Sequence, residues 1–388
     1  MTTRGLRVVV VGAGAFGGWS ALWLVRRGAR VTLIDAHGAG NVLASSGGET
    51  RVNRALYGAN AVAMHLAIRS MTLWREEQAR LGVELYRERG VLWMTTTADD
   101  SYLRAALPLL RDAGRACEEL TPAEAERRFP AMVFDDARRV VLEPAAGYLL
   151  ARRACETIAA RVEAEGGTFV RGAVLPFANG PSSPGRPATS ADGTLREVCL
   201  ADGRRIEADQ FVFAPGPWLP ELFPSVLGGR IRVTRQELFT YATPAGDECF
   251  GDDRLPTWID LGASLRYGIP APRGLMKFGD DARGTLFDPT TGDRHASAEG
   301  ERSARDYLAR RFPALAQAPL ATSQVCQYEC TPDNQYLVDR LTGTPNVLIA
   351  GGGSGHGFKN GPAIGELVAA IVLGLQPVDR TFALARPD

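Results

Sequence analysis

The chain has 388 residues, 45% of them hydrophobic and 23% charged, and its 44 basic side chains balance 44 acidic ones. Zero net charge leaves no bulk field to draw it to nucleic acid or an anionic membrane, and the length allows two domains with separate cores. Its apolar runs fall short of the roughly 20 residues a bilayer span needs, its six cysteines are scattered, and its first residues lack a signal-peptide pattern, so a cytoplasmic monomer without membrane or nucleic-acid partners is expected.

The basic residues are 42 arginines and two lysines, Lys277 and Lys359. A solvated surface charge is served equally by either cation. A site that needs a compact ammonium with a tunable pKa is not. The two lysines are therefore candidate functional residues.

After Arg7, residues Val8 to Val11 form a continuous β-branched run, the pattern of a strand buried on both faces of a parallel sheet. Gly12-Ala13-Gly14-Ala15-Phe16-Gly17 follows and fits G-x-G-x-x-G. A helix is predicted from about Gly18 to Arg27, then a second strand from Ala29 to Ile34 ending at Asp35. Glycines 12 and 14 permit the tight turn and the close approach of backbone N–H groups to a pyrophosphate, Gly17 lets helix and strand pack closely, and Asp35 is placed to accept from an adenosine ribose. Strand, glycines, helix, strand and acid in that order predict dinucleotide binding; the motif alone does not separate NAD from FAD. Further along, Asn179 to Gly193 is a Pro/Ser/Gly stretch expected to be the tip of a hairpin, and 211–214 and 347–350 read as short buried strands.

Four more segments carry a resemblance. They are Ser45-Ser46-Gly47-Gly48-Glu49-Thr50-Arg51-Val52-Asn53-Arg54; Gly274-Leu275-Met276-Lys277-Phe278-Gly279; Cys326-Gln327-Tyr328 with Thr331-Pro332-Asp333; and Gly352-Gly353-Ser354-Gly355-His356-Gly357-Phe358-Lys359 with Gly361-Pro362. In order and spacing the chain resembles the monomeric sarcosine oxidase and N-methyltryptophan oxidase family of the D-amino-acid-oxidase superfamily. Both lysines fall inside these segments.

The resemblance implies an α/β, two-domain architecture: a discontinuous Rossmann-like FAD-binding domain (1–80, 145–220 and 325–388) and a substrate domain with an antiparallel sheet (81–144 and 221–324). It also implies an oxidase that takes an amino acid across its C–N bond to an imine and reduces O2 to hydrogen peroxide. Cys326 matches the cysteine that holds the flavin by a thioether; as a residue it is also compatible with a packed apolar thiol or a pair with Cys330. Lys277 matches the lysine over the flavin that promotes reaction with O2, where a fixed cation stabilises developing negative charge. Arg54 and Lys359 match a clamp on the substrate carboxylate, Arg51 a flavin-facing arginine, and His356 a residue near the pyrimidine side of the ring. Tyr267 and Tyr328 match pocket tyrosines. Ser45, Val174, Gly216, Trp218, Gly353, Gly355 and Gly357 complete the expected cofactor contacts.

The chain departs from the family's K-x-G-x-H pattern, since Lys277-Phe278-Gly279-Asp280-Asp281 puts Asp281 at the histidine position. A carboxylate there favours a cationic partner or takes a proton from a substrate ammonium. Trp258 is expected in the substrate pocket in place of a methionine. Together these two predict a secondary, cyclic or N-methylated α-amino acid larger than sarcosine. Two alternatives stand beside this reading: a flavin dehydrogenase that uses an acceptor other than O2, and a flavin-binding protein without catalysis. A nicotinamide-dependent dehydrogenase shares the N-terminal motif but gives no reason for the 352–359 segment.

Overall fold

The computed structural model describes residues 5–176, 190 and 192–386. The expected hairpin tip at 179–193 lies almost wholly outside the described residues.

The N-terminal strand forms at Arg7–Val11, the helix at Ala15–Arg26 and the next strand at Arg30–Asp35. The helix starts earlier than predicted because Gly14 is its N-cap, so the glycine turn and the first helical turn are continuous. These strands sit in a six-stranded sheet ordered Leu337–Leu341, Thr344–Gly351, Gln210–Phe213, Arg7–Val11, Arg30–Asp35, Thr168–Arg171. All pairs are parallel except the Leu337–Leu341 edge. Side chains alternate across it. Val8 and Val10 pack with Trp19, Leu22, Ile158, Ile364 and Val368 from three helices, whereas Val9 and Val11 pack with Phe211, Phe213, Leu219 and Leu227. Burial on both faces explains the unbroken valine run.

The second layer is an eight-stranded sheet ordered Leu320–Cys330, Arg232–Ala242, Leu275–Asp280, Leu265–Ala271, Thr257–Leu261, Val91–Thr95, Arg139–Glu143, Glu118–Leu120. It is antiparallel apart from the pairing of Thr257–Leu261 with Val91–Thr95. Its edge strand Leu320–Cys330 crosses the boundary expected at residue 325, so the sheet of the second layer carries Cys326 and Tyr328 to the crevice. A small sheet of Thr50–Asn53, Gly147–Leu150 and Tyr86–Arg87 lies between the layers in the chain's path. Among the described residues no helix is long and apolar enough to cross a membrane.

The eight-stranded sheet corrects one expectation. Trp258 pairs with Gly268 and shares its face with Phe278, Tyr307 and Phe312, in the core under the helix Ala298–Arg311. It is fully buried, and a methyl on Gly268 would collide with its ring. The opposite face presents Trp93, Ile259 and Tyr267 in register. Period-two alternation puts Ile259, not Trp258, on the side of the predicted substrate pocket.

Candidate active site

The glycine turn is built for close approach. Gly12 has φ +100° and lies so near the Ala214 carbonyl that a Cβ would collide with it. A Cβ on Gly17 would strike the Gly12 carbonyl, which is how the helix and turn come into contact. Asp35 braces the turn: its carboxylate accepts from Ala13 N at 2.8 Å, His37 N at 2.9 Å and Gly38 N at 2.8 Å.

A cavity of about 480 Å³ runs from this turn across the crevice between the two sheets. Of the predicted contacts, Gly12, Gly14, Phe16, Asp35, Ser45, Arg51, Val174, Gly216, Trp218, Tyr328, Gly353, Gly355 and Gly357 line it. Gly17, Cys326, His356 and Lys359 are not among the residues that line it. At the Asp35 end Trp218 lies 6.0 Å from the His37 ring and donates from Nε1 to Thr290 Oγ1 at 2.9 Å.

At the other end Arg51 donates to the carbonyls of Thr50 and Ser45, and its Nη2 lies 3.6 Å from Cys326 Sγ. Lys277 reaches the same place from the eight-stranded sheet. It is 6% exposed and donates from Nζ to Thr50 O at 2.8 Å. Burial, and then the Arg51 charge, hold its pKa well below that of an ordinary lysine.

Arg54 and Lys359 are brought together over the Tyr57 ring, with the guanidinium carbon 4.2 Å and Nζ 5.1 Å from its centroid. Arg54 also stacks on Trp93 and donates to Leu56 O. Lys359 is buried, its Nζ donates to His356 O at 2.9 Å, and burial followed by the Arg54 charge drives its pKa well down. Asp281 couples electrostatically to both cations and lies 3.8 Å from Arg283. Burial pushes its pKa up, against the pull of the Arg283 charge.

His356 supports this clamp from behind. Its Nε2 lies 3.1 Å from Asn334 O and its Nδ1 2.7 Å from the Tyr336 hydroxyl. That pairing assigns the proton to Nε2, with Nδ1 accepting from Tyr336. Burial, then the charges of Lys359 and Arg54, keep its pKa well below the usual histidine value, so the ring is neutral. Asn360 ties the group together, donating to Tyr336 at 2.6 Å and to Tyr57 at 3.2 Å.

Residues 7–371 match the FAD dependent oxidoreductase (DAO) family. The chain belongs to that family. It is 25% identical over 371 residues to monomeric sarcosine oxidase from Bacillus sp. (strain B-0618), covering 94% of this chain and 92% of that protein. It is likewise 25% identical over 385 residues to N-methyl-L-tryptophan oxidase from Yersinia pestis (strain Pestoides F), covering 98% of each. The fold is similar to that of L-proline dehydrogenase from P. horikoshii, with a TM-score of 0.82, 21% identity, and 97% of this chain and 96% of that one covered.

The residues of this FAD-dependent oxidoreductase fit the cofactor its family requires. The bare glycine turn at the helix N-terminus suits a pyrophosphate. Gly355, at φ +83°, has its Cα side against the Tyr328 ring, where a Cβ would sit 2.7 Å away and force the ring aside.

Several residues of the site escaped the sequence reading. Tyr57, Tyr336 and Asn360 build the support of the clamp, and Asn360 directly follows Lys359. Glu143 is buried behind Arg54, accepting from Ala55 N at 2.7 Å and Trp93 Nε1 at 3.4 Å. Glu329 lines the cavity one residue after Tyr328.

Proposed function

We propose that this enzyme oxidises the C–N bond of a secondary, cyclic or N-methylated α-amino acid larger than sarcosine, yielding an imine and passing the electrons to O2. The observation that carries the reading is the half-buried Arg54 and the buried Lys359 held side by side over Tyr57, with Asp281 coupled to both. Two largely shielded basic groups with no carboxylate in hydrogen-bonding contact among the described residues suit an anionic guest, and two donors fix its orientation. The names of the curated relatives, a sarcosine oxidase and an N-methyl-L-tryptophan oxidase, support the substrate class. Trp258 belongs to the core and does not shape the pocket, so the departure from sarcosine rests on Asp281, a carboxylate where the family has a histidine.

FAD held in the crevice would supply the electron sink for the C–N oxidation, with O2 as the final electron acceptor. The chain's residues hold and prepare the reactants. Arg54 and Lys359 take the carboxylate, and the carboxylate in turn favours the charged form of Lys359. Asp281, with its proton affinity raised by burial, accepts the proton of the substrate ammonium and leaves the neutral amine that can be oxidised. Lys277 offers a positive group where charge develops on O2 as it takes up electrons. Arg51 and Ser45, which line the cavity, border Cys326, the thiol we assign to covalent attachment of the flavin. His356 acts as a positioning residue through the carbonyl that receives Lys359.

A panel of N-methyl, cyclic and primary amino acids, scored by bleaching of the flavin absorbance under argon and by peroxide in air, tests this function. Bleaching with a bulky secondary amino acid together with peroxide is the expected result. Bleaching without peroxide would make the protein a dehydrogenase. Fastest turnover with sarcosine would overturn the departure from sarcosine, and no bleaching by any amine would overturn catalysis.

A further inference from the structure

Glu329 takes part in none of these steps, yet it is a buried acid on the wall of the cofactor cavity. The residue is 8% exposed. Its Oε1 accepts from Gly353 N at 3.4 Å, while Oε2 has no hydrogen-bond partner among the described residues. The groups acting on it are burial and the backbone N–H groups of Gly353 and Gly352, with no cation among them, and burial lifts its pKa to about 7. Oε2 is shielded from the cavity beside Gly351, so the Oε1 side of the carboxyl is the side that can meet a guest; a buried acid on a cavity wall with no counter-charge calls for an explanation.

Its position in the crevice supplies one. A Cβ on Gly353 would lie 3.3 Å from Glu329 Oε1, and one on Gly357 would lie 2.8 Å from Gly353 Cα and 3.1 Å from Phe16 Cζ. Phe16 is in the first turn of the helix whose N-terminus faces the pyrophosphate position. On the other side, the adjacent residue Tyr328 touches Gly355 at the ring end. Glu329 therefore stands between the phosphate-binding turn and the ring-binding end. The part of FAD that spans such a gap is the ribityl chain, which presents three hydroxyls and no charge. We propose that the Glu329 carboxyl hydrogen-bonds the ribityl hydroxyls of FAD through Oε1, the oxygen beside Gly353, while Oε2 stays packed against Gly351. The inference rests on FAD being the cofactor of this cavity.

The test is the affinity for FAD, read by quenching of flavin fluorescence, in a Cys326→Ser background so that attachment cannot mask binding. Glu329→Leu should weaken binding by about tenfold to a hundredfold, the usual effect of a lost hydrogen bond that leaves its partner buried, whereas Glu329→Gln, which keeps the shape and a hydrogen bond, should stay within about threefold. FAD analogues lacking the 2′-, 3′- or 4′-hydroxyl of the ribityl chain provide a second measurement on protein with Glu329 intact, should the leucine variant not fold. At least one analogue should lose a similar factor, and Glu329→Leu should no longer distinguish it from FAD. Equal affinity of the leucine variant for FAD, or equal affinity of the intact protein for all the analogues, would overturn the proposal. Failure of the Cys326→Ser protein itself to bind FAD would overturn the cofactor reading on which it stands.

Discussion

Lys277 donates from Nζ to the carbonyl of Thr50 at 2.8 Å, which fixes a buried lysine beside Arg51 although the two residues come from different sheets. The contact holds the lysine in the crevice without neutralising it, because a carbonyl accepts a hydrogen bond but supplies no full negative charge. Burial and the neighbouring guanidinium both oppose its protonation. Such a group gains most when negative charge appears next to it.

The first prediction follows from that contact. Lys277→Met should slow reoxidation by O2 by about a hundredfold or more, in line with the loss of one preorganised charge stabiliser, and should change anaerobic reduction by substrate much less. Stopped-flow measurement of the two half-reactions separates them. A parallel loss in both would assign Lys277 to substrate binding instead.

Cys326 gives a second, simpler outcome. Its Sγ lies 3.6 Å from Arg51 Nη2 and 3.8 Å from Ser45 O, and both of those residues line the cofactor cavity. Acid-precipitated wild-type protein should keep its yellow colour in the pellet, and Cys326→Ser should release the flavin to the supernatant while still binding it before precipitation. Colour retained in the serine variant would move the attachment elsewhere or exclude a thioether at this thiol.

How far the site is legible in the sequence depends on how local it is. The strand, glycine turn, helix and acid from Arg7 to Asp35 are contiguous, so spacing alone places each role, and the structure shifts the helix start only to Ala15. The two lysines stand out by composition and both are buried at the site. Trp258 and Ile259 could not be told apart, because their faces are set by pairing with Gly268 and Tyr267 and by a helix some forty residues further on. Glu329 was equally hidden. Its neighbours Gly352 and Gly353 lie on another sheet's strand end, and nothing in a single acidic letter tells a buried carboxyl from a solvated one.

The clamp yields a third prediction. Lys359→Met should raise KM for the amino-acid substrate by about tenfold to a hundredfold, the magnitude of a lost charge-assisted hydrogen bond, with a smaller change in kcat. The same substitution should abolish the preference for a carboxylate over its amide, which competitive inhibition by matched acid and amide analogues would reveal. If the amide discriminates wild type and variant as strongly as the acid does, the lysine serves the support network with His356 and Tyr57 and not the substrate.

Asp281 is expected to set the acid limb of the pH profile. Burial raises its pKa, so reduction of the flavin by substrate should decline as pH falls and the carboxylate takes up its own proton. Asp281→Asn should lower the reduction rate at neutral pH and shift the remaining dependence upward, toward the pKa of the substrate amine in solution. An unchanged profile in the variant would remove Asp281 from proton transfer and leave it a role in shaping the pocket.

Glu329 makes the fifth prediction, on the stability of the protein freed of its cofactor. The folded pKa is raised from 4.5 to about 7. Between those values the folded chain holds a proton that the unfolded chain has released, so the contribution is fully present below about pH 4.5 and is lost as pH rises through about 7. A shift of that size corresponds to about 3 kcal/mol at most. Denaturant unfolding of wild type should therefore lose about 2–3 kcal/mol more than Glu329→Gln between pH 5 and pH 8, since the amide has no proton to lose. The glutamine variant should be the more stable of the two at pH 8, where the wild-type carboxylate is buried and charged without a cation beside it. Identical slopes in both proteins would mean that Glu329 reaches solvent or a counter-charge in solution, and its burial beside Gly353 would then carry no energetic consequence.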